Sequence, residues 1–259
     1  TSIDAQQAQL VGFSFAVEPD EAAYVPLAHS YMGVPPQLPF DETLALFKPL
    51  LENPNIIKIC QNGKYDINVL ERHGIRLQGV KHDSMLASYV LNATATRHNM
   101  DDLAQHYLSR TTTPFESIAG KGAKQLTFDQ LQLEVAAPYA AEDADITLQL
   151  HQTLQQQLQN SPELVRVYED IEMPLMPVLA RIERTGALVD ANLLGRQSQE
   201  LDDKLTAIER QVFELAGQPF NLAAPKQLGE ILYDRLGLPV LAKTAKGQPS
   251  TAEAVLSEL

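Results

Sequence analysis

Tyr139 and Asp143 stand four residues apart, just after Pro138 and with Glu142 between them. On a helix this spacing puts phenol and carboxylate on one face. There a carboxylate can hold a metal ion and a phenol can orient the water that the ion activates. A half-buried Tyr beside a solvated Asp has the same spacing on many amphipathic helices and needs no chemistry. A second acid, Asp66, ends the run Gln61-Asn62-Gly63-Lys64-Tyr65-Asp66, which follows a short apolar strand and opens a helix. That places Asp66 near the end of a sheet, where α/β proteins commonly build their sites. The competing reading is an acid that complements the positive end of its helix. A third feature is Ser2-Ile3-Asp4, ahead of the apolar run Leu10–Phe15.

The elements that must position these residues follow from periodicity. Leu10–Val17 and Ala22–Leu27 are β-rich runs around Glu18-Pro19-Asp20-Glu21 and predict a hairpin. Asp41 is placed to cap a helix whose apolar face is Leu44, Phe47, Leu50 and Leu51, ending at Pro54. Ile56–Cys60 is a short buried strand, and a helix from about Lys64 to His73 stops at Gly74. Another short strand precedes Asp83, and Ser84–Leu91 is apolar at helical spacing. From Leu126 to about Leu158 the pattern is helical with a break near Pro138, a residue suited to a first helical turn. Strands followed by helices predict an α/β domain with a mixed sheet covered by helices. Composition shifts over Gln152–Pro162, which divides the chain into residues 1–158 and 159–259. Beyond the shift the chain is almost wholly helical: Glu163–Arg184, Asn192–Leu215 and Pro225–Leu236, closed by Gly186, Gly217 and Gly237. Ser250-Thr251-Ala252-Glu253 has the pattern of a capping box.

Composition narrows the class. With 44% hydrophobic and 20% charged residues in 259, this is a folded chain and not a disordered one. No apolar run is long enough to span a bilayer, and no basic-then-apolar leader opens the chain. One cysteine, Cys60, cannot make an internal disulfide, which fits a reducing cytoplasm. The chain opens at Thr1 without an initiator Met, which reads as a piece of something longer. The net charge of −13 argues on electrostatics against nucleic acid as a partner. Residues 1–150 carry ten Lys and Arg against eighteen Asp and Glu, and the remainder ten against fifteen. The case for a nucleic-acid partner therefore rests on motifs.

Those motifs carry a resemblance. Asn62-Gly-Lys-Tyr-Asp66 and Tyr139-Ala-Ala-Glu-Asp143 resemble the second and third exonuclease motifs of the DEDD superfamily, in its Tyr-containing branch. Asp83-Ser-Met-Leu-Ala-Ser-Tyr89, Arg97-His-Asn-Met-Asp101-Asp-Leu103 and Phe115-Glu-Ser-Ile-Ala-Gly-Lys-Gly122 resemble the proofreading domain of bacterial family A DNA polymerases. Glu172-Met-Pro-Leu-Met-Pro-Val-Leu179, Ile182-Glu-Arg-Thr-Gly186, Phe220-Asn221, Lys226-Gln-Leu228 and Pro249-Ser-Thr251 resemble the start of that family's polymerase domain. Each segment is short, but together they cover the chain in order.

The resemblance implies a ribonuclease H-like exonuclease domain over 1–158, then a thumb-like all-α segment over 159–259 without palm or fingers. It implies 3′→5′ hydrolysis of DNA phosphodiesters, for proofreading in replication and repair, by two divalent ions (Mg, Mn or Zn) on four carboxylates. Asp66 and Asp143 correspond to metal ligands and Tyr139 to the residue that orients water. Ile3, Asn62 and Phe115 correspond to contacts with unpaired 3′-terminal nucleotides, and Arg97 to a phosphate partner. Ile3 and Phe115 read equally well as core residues. Lys226, Lys243 and Lys246 would meet duplex phosphates, with solvated surface lysines as the alternative. Implied too are a monomer without membrane contact, in the bacterial cytoplasm with the nucleoid. The family's first motif, an Asp-x-Glu ahead of the Ser-hydrophobe-Asp stretch, has no counterpart before Ser2. Asp4 resembles a non-catalytic position, so the chain alone is expected to hydrolyse DNA weakly or not at all. Two alternatives are a non-catalytic DNA-binding module and an RNA-processing exonuclease of the same superfamily.

Overall fold

The computed structural model describes residues 1–259. Strands β1 (Gly12–Glu18) and β2 (Glu21–Pro26) pair antiparallel with Ser14 opposite Tyr24. They turn at Pro19-Asp20, where Pro sets its own φ and Asp20 takes φ 65°, a conformation Asp tolerates. The Asp20 N–H donates to Asp145 Oδ1 at 2.8 Å, which ties the hairpin tip to a distant helix. Helix α1 (Phe40–Leu51) lays Phe47 against Phe13 and Phe15, with ring centroids 5.0 and 5.2 Å apart. Asp41 does not cap it. Pro39 holds the N-cap position, and Asp41 sits in the first turn.

β3 (Lys58–Cys60), α2 (Gly63–Arg72) and β4 (Val80–Asp83) form a parallel crossover, and α3 (Ser84–Leu91) comes directly after. Gly74, at φ +73°, ends the turn after α2 as its sequence position predicts. The strands make two separate pairs, β1–β2 antiparallel and β3–β4 parallel, and not one continuous mixed sheet. The α/β class holds; the sheet is split.

After α4 (Met100–Leu103) and α5 (Phe115–Ala119), α6 runs unbroken from Leu133 to Gln159. The predicted break at Pro138 is absent, because both Pro138 and Glu134 are exposed. The carbonyl that loses its helical partner to the proline can turn to water. Ile146, Leu150, Leu154 and Leu158 recur every four residues along α6 and are almost fully buried. Each is worth roughly 1.5–3 kcal/mol of burial. They form one core with Ile67 of α2, Ala87 of α3 and Leu103 of α4.

That core also takes in the next stretch of chain. After α7 (Pro162–Val167) and a π-helical turn (Tyr168–Glu172), α8 (Met173–Thr185) ends at Gly186, φ +64°. Tyr168, Met173, Met176 and Ala180 are all buried in it. The compact unit thus runs from Thr1 to Gly186, past the composition shift at 152–162, and the second from Ala187 to Leu259.

The second unit centres on α9 (Ala191–Ala216), capped by Asp190, which accepts the Leu193 N–H at 2.9 Å. Leu193, Leu194, Leu201, Leu205 and Ile208 are exposed along it. α10 (Pro225–Gly229) continues through a π-helical turn that buries Ile231 and Tyr233. Tyr233 donates its hydroxyl to the Ser250 carbonyl at 2.5 Å. α11 (Glu253–Leu256) has Ala252 at its N-cap, so the Ser250–Glu253 capping box does not form. Ser250 Oγ accepts the Ala252 N–H, at 3.3 Å, and stands two residues ahead of the N-cap, out of the position a capping box requires. No helix is long and apolar enough to cross a membrane.

Candidate active site

A cleft of about 690 Å³ lies in the first unit. It is lined by consecutive residues of β1, by Ile56–Gln61 around β3, and by Tyr65, Asp66, Asp143 and Thr147. Since β1 bonds only β2 and β3 only β4, each strand keeps one edge without a ladder partner. Both strands border this cleft. Asp66 and Asp143 are its only acids.

The start of α2 fixes where Asp66 points. Asn62 takes the left-handed conformation (φ 60°, ψ 49°), which turns the chain sharply out of β3. Gly63 then fits against the strand because it has no side chain. A Cβ there would lie 2.9 Å from Cys60 Cβ and 3.3 Å from Asp83 Oδ2. Asp83 Oδ2 accepts the Gly63 N–H at 2.6 Å, satisfying a free amide at the helix start. Asp66 therefore stands three residues into a helix pinned at its first.

Both cleft acids are electrostatically uncompensated. Burial, then the Asp83 carboxylate, pushes the Asp66 carboxyl up to about 7. Burial, then Asp101 and Glu142, pushes Asp143 up to about 7 as well, while a hydrogen bond with the Tyr139 hydroxyl acts the other way. None of the protein's ion pairs involves either acid. Two carboxylates raised this way on one cleft favour a bound cation. Oxygen donors of this kind suit Mg²⁺ or Mn²⁺, so the residues fit a divalent ion in kind. In number they are incomplete: no three His, Cys, Asp or Glu side chains surround one point.

The other sequence-predicted residues fall in three groups. Tyr139 joins Asp143 and sits in an aromatic cluster, 5.9 Å from the Phe115 ring and 6.1 Å from Phe128. Phe115 is half-buried and also packs on the small core of Ala119, Leu131 and Ala136, so it serves packing whatever else it does. Ile3 is fully exposed, which removes its reading as a core residue. Its segment is moored beside the site, since Tyr65 donates its hydroxyl to the Ser2 carbonyl at 2.5 Å. Arg97 is exposed and lies outside the cleft lining. Lys226, Lys243 and Lys246 are exposed in the second unit, Lys226 with Glu230 at 3.9 Å. Asp83, Asp101 and Glu142 shape the site without having been singled out by spacing. Only Asp83 left a local signal, as the N-cap that accepts the Leu86 N–H at 3.1 Å.

Residues 1–159 match the model of the 3′-5′ exonuclease family. The chain belongs to that family. Residues 191–259 match DNA polymerase family A, which leaves the RNA-processing alternative unfavoured. The chain is 69% identical over 261 residues to DNA polymerase I of Pseudomonas aeruginosa, covering 100% of this chain and 29% of that protein. DNA polymerase I of Rhizobium leguminosarum is 42% identical over 276 residues, again with 100% of this chain and with 27% of the relative. The chain thus spans less than a third of these relatives. Among solved structures it is similar to the POL domain of Pol1 from M. smegmatis in complex with DNA primer-template and dNTP. That likeness has a TM-score of 0.67 at 26% identity and covers 86% of this chain and 35% of that one. An exonuclease-family domain followed by helical polymerase sequence is what the motifs implied.

Proposed function

We propose that the first unit performs 3′→5′ exonucleolytic hydrolysis of DNA, as the proofreading part of a family A DNA polymerase in replication and repair. The observation that carries the reading is the pair Asp66 and Asp143, two acids raised to about 7 on one cleft and neither of them in an ion pair, the cleft's Lys58 bonding the Asn53 carbonyl instead. Asp66 and Asp143 would hold two divalent ions (Mg, Mn or Zn) together with further carboxylates. Bound divalent metal would supply water activation and offset charge on the leaving 3′ oxygen. Tyr139, whose hydroxyl burial keeps protonated, orients the attacking water. Asn62, Ile3 and Phe115 contact the unpaired 3′ nucleotides and Arg97 a phosphate. In the second unit Lys226, Lys243 and Lys246 meet duplex backbone without reading sequence. On this reading residues 1–158 are the exonuclease domain and 159–259 open the polymerase domain of a monomeric, nucleoid-associated bacterial cytoplasmic enzyme.

The unpaired edges of β1 and β3 fit an extended segment laid into the cleft, carrying two further acids to Asp66 and Asp143. Supplying an Asp-x-Glu segment ahead of Thr1 tests this. Digestion of a 5′-labelled single-stranded oligonucleotide should rise at least ~10³-fold over the chain alone, the scale on which members of a catalytic unit are felt. Equal rates with and without the segment would overturn the assignment.

A further inference from the structure

Residues 160–190 lie between the two family matches, yet in the structure this stretch grips the helix that presents Asp66. Tyr168, almost fully buried, accepts the Asp83 N–H on its hydroxyl at 2.8 Å. Asp83 in turn holds the Gly63 N–H. From α8, Glu183 pairs with Lys64 at 2.5 Å and accepts from Asn68 Nδ2 at 3.1 Å. Arg184 Nη1 donates to Asn68 Oδ1 at 2.8 Å. Asn68 is 1% exposed, with both ends of its amide used. The grips meet α2 at residues 63, 64 and 68, on either side of Asp66. Apolar packing alone would hold α2 and α8 together at lower desolvation cost. A buried amide satisfied at both ends by side chains at the solvent-exposed rim, Glu183 at 44% and its partner Lys64 at 36% exposure, instead fixes one register.

We propose that Asn68, Glu183, Arg184 and Tyr168 are positioning residues for the exonuclease site, so that the segment 162–185 holds Asp66 in its metal-binding geometry through α2. The proposal rests on the reading of Asp66 as a metal ligand. It makes the stretch between the two matched domains part of the nuclease. Tyr168 acts at the first residue of α2 by way of Asp83, and α8 acts on Lys64 and Asn68, on either side of Asp66.

The test uses the full-length protein and three readouts: amide hydrogen exchange over residues 63–70 without metal, the Mn²⁺ concentration for half-maximal digestion, and primer extension. Asn68→Leu keeps the bulk and removes both amide contacts. It should speed exchange at 63–67 and raise the half-saturating Mn²⁺ about tenfold, the usual cost of disturbing groups that orient metal ligands, with primer extension unchanged. Glu183→Gln keeps an acceptor for Asn68 and should stay nearer the parent. Exchange and Mn²⁺ demand both within about twofold of the parent would overturn the proposal, since that spread is ordinary context dependence for such contacts. Should Asn68→Leu fail to fold, Tyr168→Phe decides by the same criteria, because it keeps the core ring and loses only the hydroxyl's two bonds to the Asp83 backbone. Asp143→Ala is the control. If it abolishes digestion while Asn68→Leu and Tyr168→Phe behave as the parent, the positioning claim alone is wrong. If Asp143→Ala still digests, the exonuclease reading fails and this proposal with it.

Discussion

The two compact units put apolar and charged side chains to opposite uses. In Thr1–Gly186 the leucines of α6 vanish into a core while two acids, Asp66 and Asp143, are held half-buried and unpaired beside a cleft. In Ala187–Leu259 the lysines and acids are solvated, and it is the leucines of α9 that stand in water. Burying uncompensated carboxylates costs stability, and a fold bears that cost where a ligand is to offset it. Exposing Leu201, Leu205 and Ile208 also costs, but in a non-directional way that any apolar cover relieves. The first unit is therefore built around chemistry and the second around surface. Substitutions should separate accordingly, with the hydrolytic rate responding only in the first unit and duplex affinity in the second.

The sharpest contrast comes from Tyr139 and Phe115, neighbours in one aromatic cluster, in protein supplied with the acidic segment. Tyr139→Phe keeps the ring and removes the hydroxyl proposed to orient water. Single-turnover hydrolysis should fall about 10²-fold, the lower range for positioned proton-handling groups, with DNA affinity little changed. Phe115→Ala removes the proposed stacking surface, a contact of a kind worth roughly 1–3 kcal/mol per base. It should weaken single-strand binding and spare the rate at saturating DNA. Normal binding with a lowered melting temperature would make Phe115 a packing residue only.

A smaller effect concerns stability and pH. Asp66 has a folded pKa of about 7 against an ordinary value of 3.8. Between those values the native state holds a proton that the unfolded chain has released. This group's contribution is thus present at low pH and is lost as pH rises from about 4 to about 7. Asp143 behaves in the same way. In metal-free protein at pH 8, Asp66→Asn should raise the melting temperature, by about 2–4 °C for each kcal/mol of desolvation and repulsion relieved. The gain should shrink toward pH 4, where the parent acid is protonated as well. Calorimetry across this range checks both the sign and the window.

How much of this was legible in the sequence depended on range. Helix ends marked by Gly74, Gly186 and Gly217 were readable because a left-handed residue is a local requirement. The hairpin was readable from two β-rich runs around the turn residues Pro19-Asp20. The motifs around Asp66 and Asp143 were readable only together, since each spacing alone fits an ordinary amphipathic helix. What stayed hidden was non-local. Nothing near Asp83 announces a bond to Gly63, and nothing in residues 160–185 shows that Tyr168 reaches β4 or that Glu183 and Arg184 grip Asn68. The split sheet was hidden too, because periodicity predicts strands and not which edges pair. The Ser250–Glu253 pattern misled for a local reason: the helix starts only at Glu253, which puts Ala252 and not Ser250 at the N-cap.

The smallest predicted effects belong to Lys226, Lys243 and Lys246. All three are exposed, and Lys226 has only a loose partner, Glu230 at 3.9 Å on its own helical run. A contact of this sort, an ammonium on a flexible stem against a phosphate, carries no sequence information. Its signature is salt dependence. Replacing one such lysine by Ala in the full-length protein should weaken duplex binding alike for all sequences and reduce the slope of log K against log salt by about 1. Replacing all three should reduce it by about 3, if each neutralises one phosphate. Folding should be unaffected, because exposed lysines contribute little to stability. Single-strand digestion at saturating DNA should also stay the same, since none of the three lines the cleft. Binding isotherms between low and moderate salt would decide it. An unchanged slope in the triple variant would make these lysines solvated surface, and duplex affinity in the second unit would then have to come from other residues.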